Sequence, residues 1–300
     1  MEFKVRGIIV PIVTPFDGAG NVDTVGVTRL VDYLIDRGIA GLFSGGTTGE
    51  GFLLSLDERR QLAEGVVAAA DGRAPVIVHA GAASTPDAVA LSRHAQAVGA
   101  QAVAVIPPFV YRHSEAGLLR HFVAVAASVP ELPVYLYNFP AICNNTLTVE
   151  LVQQIMEEAP NVVGMKDSSG SLDALAELVA VTGGRFNAVS GPDGLALMAL
   201  ALGFDGCVSG NANVVPELMV SLYDAVKAGE MARARKCQER LNRVRALLQD
   251  GGNLSLFKQM VRRRGVEVGD VRGPLLPADD VAVDAIAARL TAEVGLLETV

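Results

Sequence analysis

The 300 residues include no tryptophan, and aromatic side chains make up only 5% of them. A buried core therefore has to be assembled from Ala, Val, Leu and Ile, since hydrophobic residues still reach 50%. That composition suits parallel strands covered by helices. Cysteine is scarce: Cys143, Cys207 and Cys237 are odd in number, far apart and never in a CxxC pair. They read as reduced thiols of a cytoplasmic protein rather than a disulfide frame or a zinc site. His79, His94, His113 and His121 show no HExxH spacing and no adjoining carboxylate cluster. Each reads as structural or exposed, so no metal site is expected. Long apolar runs are missing too. Residues 7–13 are interrupted by Pro11, and residues 195–202 fall far short of the roughly 20 that a membrane helix needs. A soluble, cytoplasmic chain with no membrane partner is expected. Positive charge is in deficit, 25 basic against 33 acidic residues for a formal charge of −8, which argues against nucleic acid as a partner. The one basic run, Arg262, Arg263 and Arg264, reads as a solvated helix face.

What is present is an alternation sustained over most of the chain. Short apolar runs at 7–12, 40–44, 76–79, 102–106, 134–137, 162–166, 186–190 and 206–209 read as strands. Helical patterns fall between and after them near 24–37, 57–70, 86–98, 114–128, 148–158, 171–182, 192–202 and 215–228. Ser55 with Glu58 predicts a capping box, and Ser84-Thr85-Pro86-Asp87 opens the third helix. Gly38 and Gly99 are placed to close the first and third helices in left-handed conformation. Eight strand–helix units demand a parallel sheet and predict an α/β fold, a (β/α)8 TIM barrel; the alternative, an open doubly wound sheet, usually has fewer strands. A chain this long can bury roughly three quarters of its unfolded surface as one domain. Beyond the eighth unit only helical patterns follow, near 230–250, 255–264 and 280–295. The expected division is residues 1–228 as a catalytic barrel and 229–300 as a C-terminal helical extension packed on the barrel or on a neighbouring subunit.

Chemistry in such barrels sits at the C-terminal ends of the strands. The sixth reads Val162-Val163-Gly164-Met165-Lys166-Asp167. Simple alternation puts Val163 and Met165 outward and Val162, Gly164 and Lys166 inward. A free lysine has a pKa near about 10.4, and apolar walls lower it and expose a nucleophilic amine suited to imine formation. An ion pair of a charged Lys166 with Asp167 is the other reading. Strand five ends Tyr135-Leu136-Tyr137-Asn138-Phe139-Pro140 and brings Tyr137 to the same rim, either as a proton shuttle or as a structural hydrogen-bonding group. Strand two runs into Ser44-Gly45-Gly46-Thr47-Thr48-Gly49-Glu50. This is either a plain turn or a nest of N–H groups and hydroxyls that suits a carboxylate. It lacks the GK[ST] ending of a nucleotide-binding loop. An anion nest, an inward lysine and a phenol on one rim are what a 2-oxo acid would need.

Val13-Thr14-Pro15-Phe16, Gly46-Thr47-Thr48-Gly49-Glu50, Tyr137-Asn138-Phe139-Pro140 and Gly164-Met165-Lys166-Asp167 stand in that order along the chain. With these motifs the sequence resembles the dihydrodipicolinate synthase/N-acetylneuraminate lyase family of class I pyruvate-dependent aldolases through nearly its whole length. The resemblance implies Lys166 as the Schiff-base lysine and Tyr137 as the proton relay. It implies Thr47 and Thr48 as binders of the pyruvate carboxylate, and the backbone carbonyl of Val208 as part of the pocket. It further implies a homotetramer built as a dimer of dimers, with no metal or organic cofactor.

Two departures narrow the substrate, and a third concerns the proton relay. The synthase branch carries Arg two residues after the proline of its Tyr-Asn-x-Pro motif, where this chain has Ile142, and an alkyl group cannot make a bidentate pair with a second carboxylate. The sialic acid lyase branch shows Asp-Glu where this chain has Asp193-Gly194. Val110 stands where many relatives place a relay tyrosine, leaving Tyr111 or a water to replace it. The motif ending in Ala141 is most similar to aldolases of 2-keto-3-deoxy sugar acids. The expected activity is therefore reversible cleavage of a 2-keto-3-deoxy sugar acid to pyruvate and an aldehyde, with Ser168, Asp193 and Asn211 toward the sugar hydroxyls. The alternatives are dihydrodipicolinate synthase-type condensation, a keto-deoxy sugar acid dehydratase, a metal-dependent aldolase and a non-catalytic barrel that binds a small acid.

Overall fold

A computed structural model describes residues 3–295; residues 1–2 and 296–300 of the expected division lie outside it. The strands are β1 (Gly7–Pro11), β2 (Gly41–Ser44), β3 (Val76–His79), β4 (Ala102–Val105), β5 (Val134–Asn138), β6 (Val162–Asp167), β7 (Asn187–Ser190) and β8 (Gly206–Val208). All pair in parallel, in sequence order, and β8 closes on β1 through Ile9 opposite Val208. The chain is thus a (β/α)8 barrel, as the eightfold alternation requires. Its interior is filled by Ile9, Phe43, Ile77, Ala104, Tyr135, Tyr137 and Val189, while the opposite strand faces join the helices in a second cluster. Every strand is buried on both faces, so an unbroken apolar run rather than an alternating pattern marks it in the sequence.

The helices are α1 (Thr24–Ile35), α2 (Leu56–Ala70), α3 (Thr85–Ala97), α4 (Glu115–Ala127), α5 (Pro140–Cys143), α6 (Val149–Glu158), α7 (Leu172–Val181), α8 (Ala196–Ala201), α9 (Pro216–Lys227), α10 (Met231–Leu247), α11 (Leu254–Arg263) and α12 (Asp280–Val294). The capping box forms: Ser55 Oγ accepts from Glu58 N at 3.2 Å, and Glu58 Oε2 accepts from Ser55 N at 2.8 Å. Gly38 and Gly99 take φ of 79° and 86°, the left-handed closures expected of them. The single turn α5 was not expected; Pro140, without an N–H, occupies its first turn at no cost. Among the described residues no helix is long and apolar enough to cross a membrane.

Simple alternation fails in β6. Val162 pairs with Val134, but Gly164, not Val163, pairs with Tyr135. This bulge turns Val162 to the outer cluster and Val163 to the inner one, the reverse of the expectation. The extra residue leaves Met165 outward and Lys166 at the inner mouth. Gly164 is required there, because a Cβ would lie 2.4 Å from Asn187 O and 2.8 Å from the Tyr135 ring. Tyr135 crosses that space to donate to Asn187 Oδ1 at 2.5 Å.

The C-terminal helices bind the barrel through buried charge. Lys258 of α11, with 0% exposure, places Nζ 2.7 Å from Glu50 Oε1 and donates to Asp270 O at 2.7 Å. Glu50 Oε2 accepts from Arg272 N at 2.7 Å. The basic run is not uniformly a solvated face. Arg262 and Arg263 are exposed, but Arg264 is half-buried, donates to Tyr33 Oη at 3.0 Å and pairs with Glu217, joining α11 to α1 and α9.

His121 of α4 accepts or donates at 2.9 Å with Thr85 Oγ1 across the α3–α4 contact. Burial first, and the charge of His113 second, lower its pKa to about 4 from the usual 6.5. Between these values the unfolded chain binds a proton that the folded chain does not, so stability falls with pH by about 3 kcal/mol across that window. Urea midpoints measured from pH 6.5 down to 4 should drop, and His121→Asn should make the drop shallower. An equal slope in the variant would refute this assignment.

Candidate active site

The C-terminal mouth of the barrel opens into a cavity of about 310 Å³. Lys166, Tyr137, Thr47, Thr48 and Val208 all line it, so the structure brings together every residue singled out as catalytic or substrate-binding. Lys166 is 6% exposed. Its Nζ stands 3.7 Å from the centre of the Tyr137 ring and 5.0 Å from that of Phe43, and it makes no ion pair among the described residues. The rival pairing with Asp167 is not formed. Asp167 accepts instead from Asn138 Nδ2 at 2.7 Å, Ser169 N at 2.9 Å and Ser169 Oγ at 2.6 Å. That carboxylate ties the ends of β5 and β6 together and leaves the lysine free in the cavity.

Tyr137 Oη lies 3.3 Å from Thr47 Oγ1, a hydrogen bond in which either hydroxyl can donate. The loop after β2 is shaped by its glycines. Gly45 adopts φ of 68°, and a Cβ on Gly51 would lie 1.9 Å from Gly45 O. Glu50 holds a left-handed φ of 56° in the same loop, fixed by its bonds to the C-terminal segment. The loop is braced from beneath by His79, whose Nδ1 is 3.1 Å from Gly45 O. Burial, then the charges of Arg59 and Lys166, hold the His79 pKa well below its usual value, against the opposing bond to Gly45. A neutral imidazole donating Nδ1–H to Gly45 O fits this. Arg59 then serves the β3 end through His79 O at 2.7 Å and Gly81 O at 2.9 Å.

On the far side, Asp193 and Asn211 line the cavity. Asn211 donates to Asp193 Oδ2 through Nδ2 at 2.6 Å and through its backbone N at 3.3 Å. Burial raises the Asp193 pKa, opposed by Asn211, Ser209 and the charge of Arg245. Oδ1 of Asp193 and Oδ1 of Asn211 have no hydrogen-bond partner among the described residues. Ser168 also lines the cavity. Ile142 is 40% exposed and Tyr111 74% exposed, and neither lines the cavity. Val110 holds φ of 81°, a strained value for a β-branched residue. The sequence reading missed the wall supplied by the C-terminal segment, namely Arg245, Gly251, Leu254 and Phe257. Among the described residues no group of three or more His, Cys, Asp or Glu side chains could hold a metal ion.

A closed parallel barrel with an amine at the mouth of its sixth strand, a phenol on the fifth and a hydroxyl-bearing turn on the second defines an enzyme of the class I aldolase/lyase type. Residues 4–293 match the model of the dihydrodipicolinate synthetase family. The chain is 36% identical over 298 residues to the 4-hydroxy-tetrahydrodipicolinate synthase of Methanopyrus kandleri, covering 99% of both chains. Among solved structures, YagE, a prophage protein of the dihydrodipicolinic acid synthase family from E. coli K12 in complex with pyruvate, superposes with a TM-score of 0.91 at 33% identity, covering 97% of this chain and 99% of that one. A catalytic lysine mutant of the Ruminococcus gnavus sialic acid aldolase gives 0.93 at 28% identity, covering 99% and 100%. The chain belongs to the dihydrodipicolinate synthetase family.

Proposed function

We propose that Lys166 forms an imine with pyruvate and that the derived enamine makes or breaks a carbon–carbon bond with an aldehyde. The observation that carries this is the placement of Lys166 Nζ, buried, without an ion pair among the described residues and against the Tyr137 ring in a cavity edged by Thr47 and Thr48. Pyruvate bound in YagE supports the choice of oxo acid. The neutral amine attacks C2, the carbinolamine loses water, and loss of a C3 proton gives the enamine that adds to the aldehyde carbon. Hydrolysis of the product imine restores the amine. Thr47 and Thr48 hold the pyruvate carboxylate, and the Val208 carbonyl lines the floor. Tyr137, coupled to Thr47 at 3.3 Å, carries protons to and from the departing oxygen. Residues 1–228 form the catalytic barrel in this proposal, and 229–300 form the extension that closes one side of it. Assembly as a homotetramer belongs to the same reading.

For the second substrate, the name of the curated relatives favours synthase-type condensation over cleavage of a 2-keto-3-deoxy sugar acid, the order opposite to that drawn from the motifs. The product in that name is a nitrogen ring with two carboxylates, so if pyruvate supplies one carboxylate the aldehyde would have to bring the amine and the other. Sugar-acid cleavage is the second reading. It is favoured by the alkyl side chain at Ile142 and by the unpaired acceptors Asp193 Oδ1 and Asn211 Oδ1, which suit hydroxyl donors. Pyruvate consumption with each aldehyde, against pyruvate release from a panel of keto-deoxy acids, separates the two. In whichever direction is active, Tyr137→Phe should lower kcat by about 10²- to 10⁴-fold with a smaller change in KM for pyruvate. A kcat within twofold of the parent would remove Tyr137 from the proton path.

A further inference from the structure

Resting on the pyruvate-imine reading, we propose that Lys258 is a positioning residue for the reaction. From outside the barrel it holds Glu50, and through Glu50 it keeps the Thr47-Thr48 turn in the shape that receives the pyruvate carboxylate.

The turn is closed by backbone bonds at and beside Glu50. Glu50 N donates to Thr47 O at 3.1 Å, Gly51 N to Gly46 O at 3.0 Å and Leu53 N to Glu50 O at 2.8 Å. Glu50 itself stands at φ of 56°, a left-handed value that a residue with a Cβ keeps only where its surroundings over-determine it. Thr14 Oγ1 steadies the turn from the β1 side by donating to Gly49 O at 2.5 Å. At Glu50 the restraint comes from the C-terminal segment. Lys258 Nζ lies 2.7 Å from Glu50 Oε1, and Arg272 N donates to Oε2 at 2.7 Å. The ammonium is fixed in turn by Asp270 O at 2.7 Å and stands 4.1 Å from the centre of the Phe16 ring. The Arg272 guanidinium extends the grip along the same loop, to Leu53 O at 3.4 Å and Glu58 Oε1 at 2.7 Å.

Phe257, the neighbour of Lys258 on α11, lines the cavity. A Cβ at Gly210 would lie 3.4 Å from Thr48 Oγ1 and 3.8 Å from Phe257 Cζ, so the ring and the Thr48 hydroxyl flank one glycine. Successive residues of one helix thus wall the cavity beside Thr48 and hold the turn that presents it. Thr47 passes any displacement on, because its Oγ1 meets Tyr137 Oη at 3.3 Å. A buried pair such as Lys258 and Glu50 contributes little net stability, and burial draws the Lys258 pKa down to about 8. What the pair supplies is geometry.

The test measures half-saturation of borohydride trapping by pyruvate and by methyl pyruvate, the same ketone without the anion, below the melting transition of each protein. The ratio of the two reports how well the turn receives a carboxylate. Lys258→Met should shrink the parent's preference for pyruvate by about 10- to 100-fold, the scale of a misplacement near 1 Å. A merely structural role lowers the amount trapped with both ketones alike and leaves the ratio in place. Lys258→Met with Glu50→Gln should keep the preference low even as stability recovers, because one of the two ties on residue 50 is still missing. That double variant carries the test if Lys258→Met does not fold. Ser255→Ala, which loosens the same helix by removing the acceptor of Ala278 N, should keep the parental ratio. A parental ratio in both Lys258 variants, or an equal loss in Ser255→Ala, overturns the proposal. Trapping by pyruvate with an unmoved ratio defeats the role of Lys258 alone, whereas no trapping in the parent defeats the imine beneath it.

Discussion

Lys166→Ala is expected to lower kcat by roughly 10⁴-fold or more, the scale seen when a covalent nucleophile is removed, while the protein stays folded. Both halves follow from the environment of the amine. Pyruvate chemistry of this kind needs a cationic imine as the sink for the electrons of the cleaved or newly formed bond, and among the described residues no other lysine lines the cavity. Lys166 also has no ion-pair partner among the described residues, so its removal orphans no buried charge and opens space only at a mouth that water can fill. The melting temperature should stay within about 5 °C of the parent. Steady-state pyruvate turnover with circular dichroism on the same preparation checks both. Turnover near the parent level would mean that another nucleophile does the work.

Lys258→Met is expected to do the opposite, unfolding the protein more readily by about 3–5 kcal/mol, or roughly 6–15 °C in melting temperature. Burial pulls the Lys258 pKa down to about 8, against the opposing pull of Glu50 and Asp270. Desolvation therefore outweighs attraction, and the pair is a poor stabiliser compared with well-packed apolar groups. Breaking it from one side is nonetheless costly, because Glu50 is left charged and buried at the end of the Thr47-Thr48 turn. Adding Glu50→Gln to Lys258→Met removes that stranded charge and should recover a good part of the loss, with Gln still able to accept from Arg272 N. Thermal melts of the parent, the single and the double variant supply the comparison. A single variant as stable as the parent would show that the C-terminal segment is not held through this pair.

The contrast between these lysines shows what the sequence could and could not disclose. Lys166 was legible because it ends an apolar strand pattern, and the barrel rule says where such an end points. Thr47, Thr48, Tyr137 and Val208 were legible through motifs in a consistent order, and the cavity gathers all of them. The phase of β6 was not. Its bulge exists because Tyr135 crosses the barrel over Gly164 to reach Asn187, a contact between three strands that no single strand records. Lys258 left a signal that was overlooked: it sits four residues after Leu254 and three before Val261, a core-facing position of α11 where a charge needs a buried partner. Arg245 left almost none, since an arginine on a long, charge-rich helix looks solvated until the packing of α10 against Gly194 is known.

The covalent bond itself is the most direct object to measure. The enzyme is incubated with pyruvate, reduced with borohydride, digested and analysed by peptide mass spectrometry. One reduced pyruvyl adduct is expected, on the peptide containing Lys166 and on the side chain of that residue, with Lys258 unmodified. An adduct on a different lysine, or full recovery of unmodified Lys166 peptide after saturating pyruvate, would contradict the assignment of the sixth-strand amine as the group that captures the substrate.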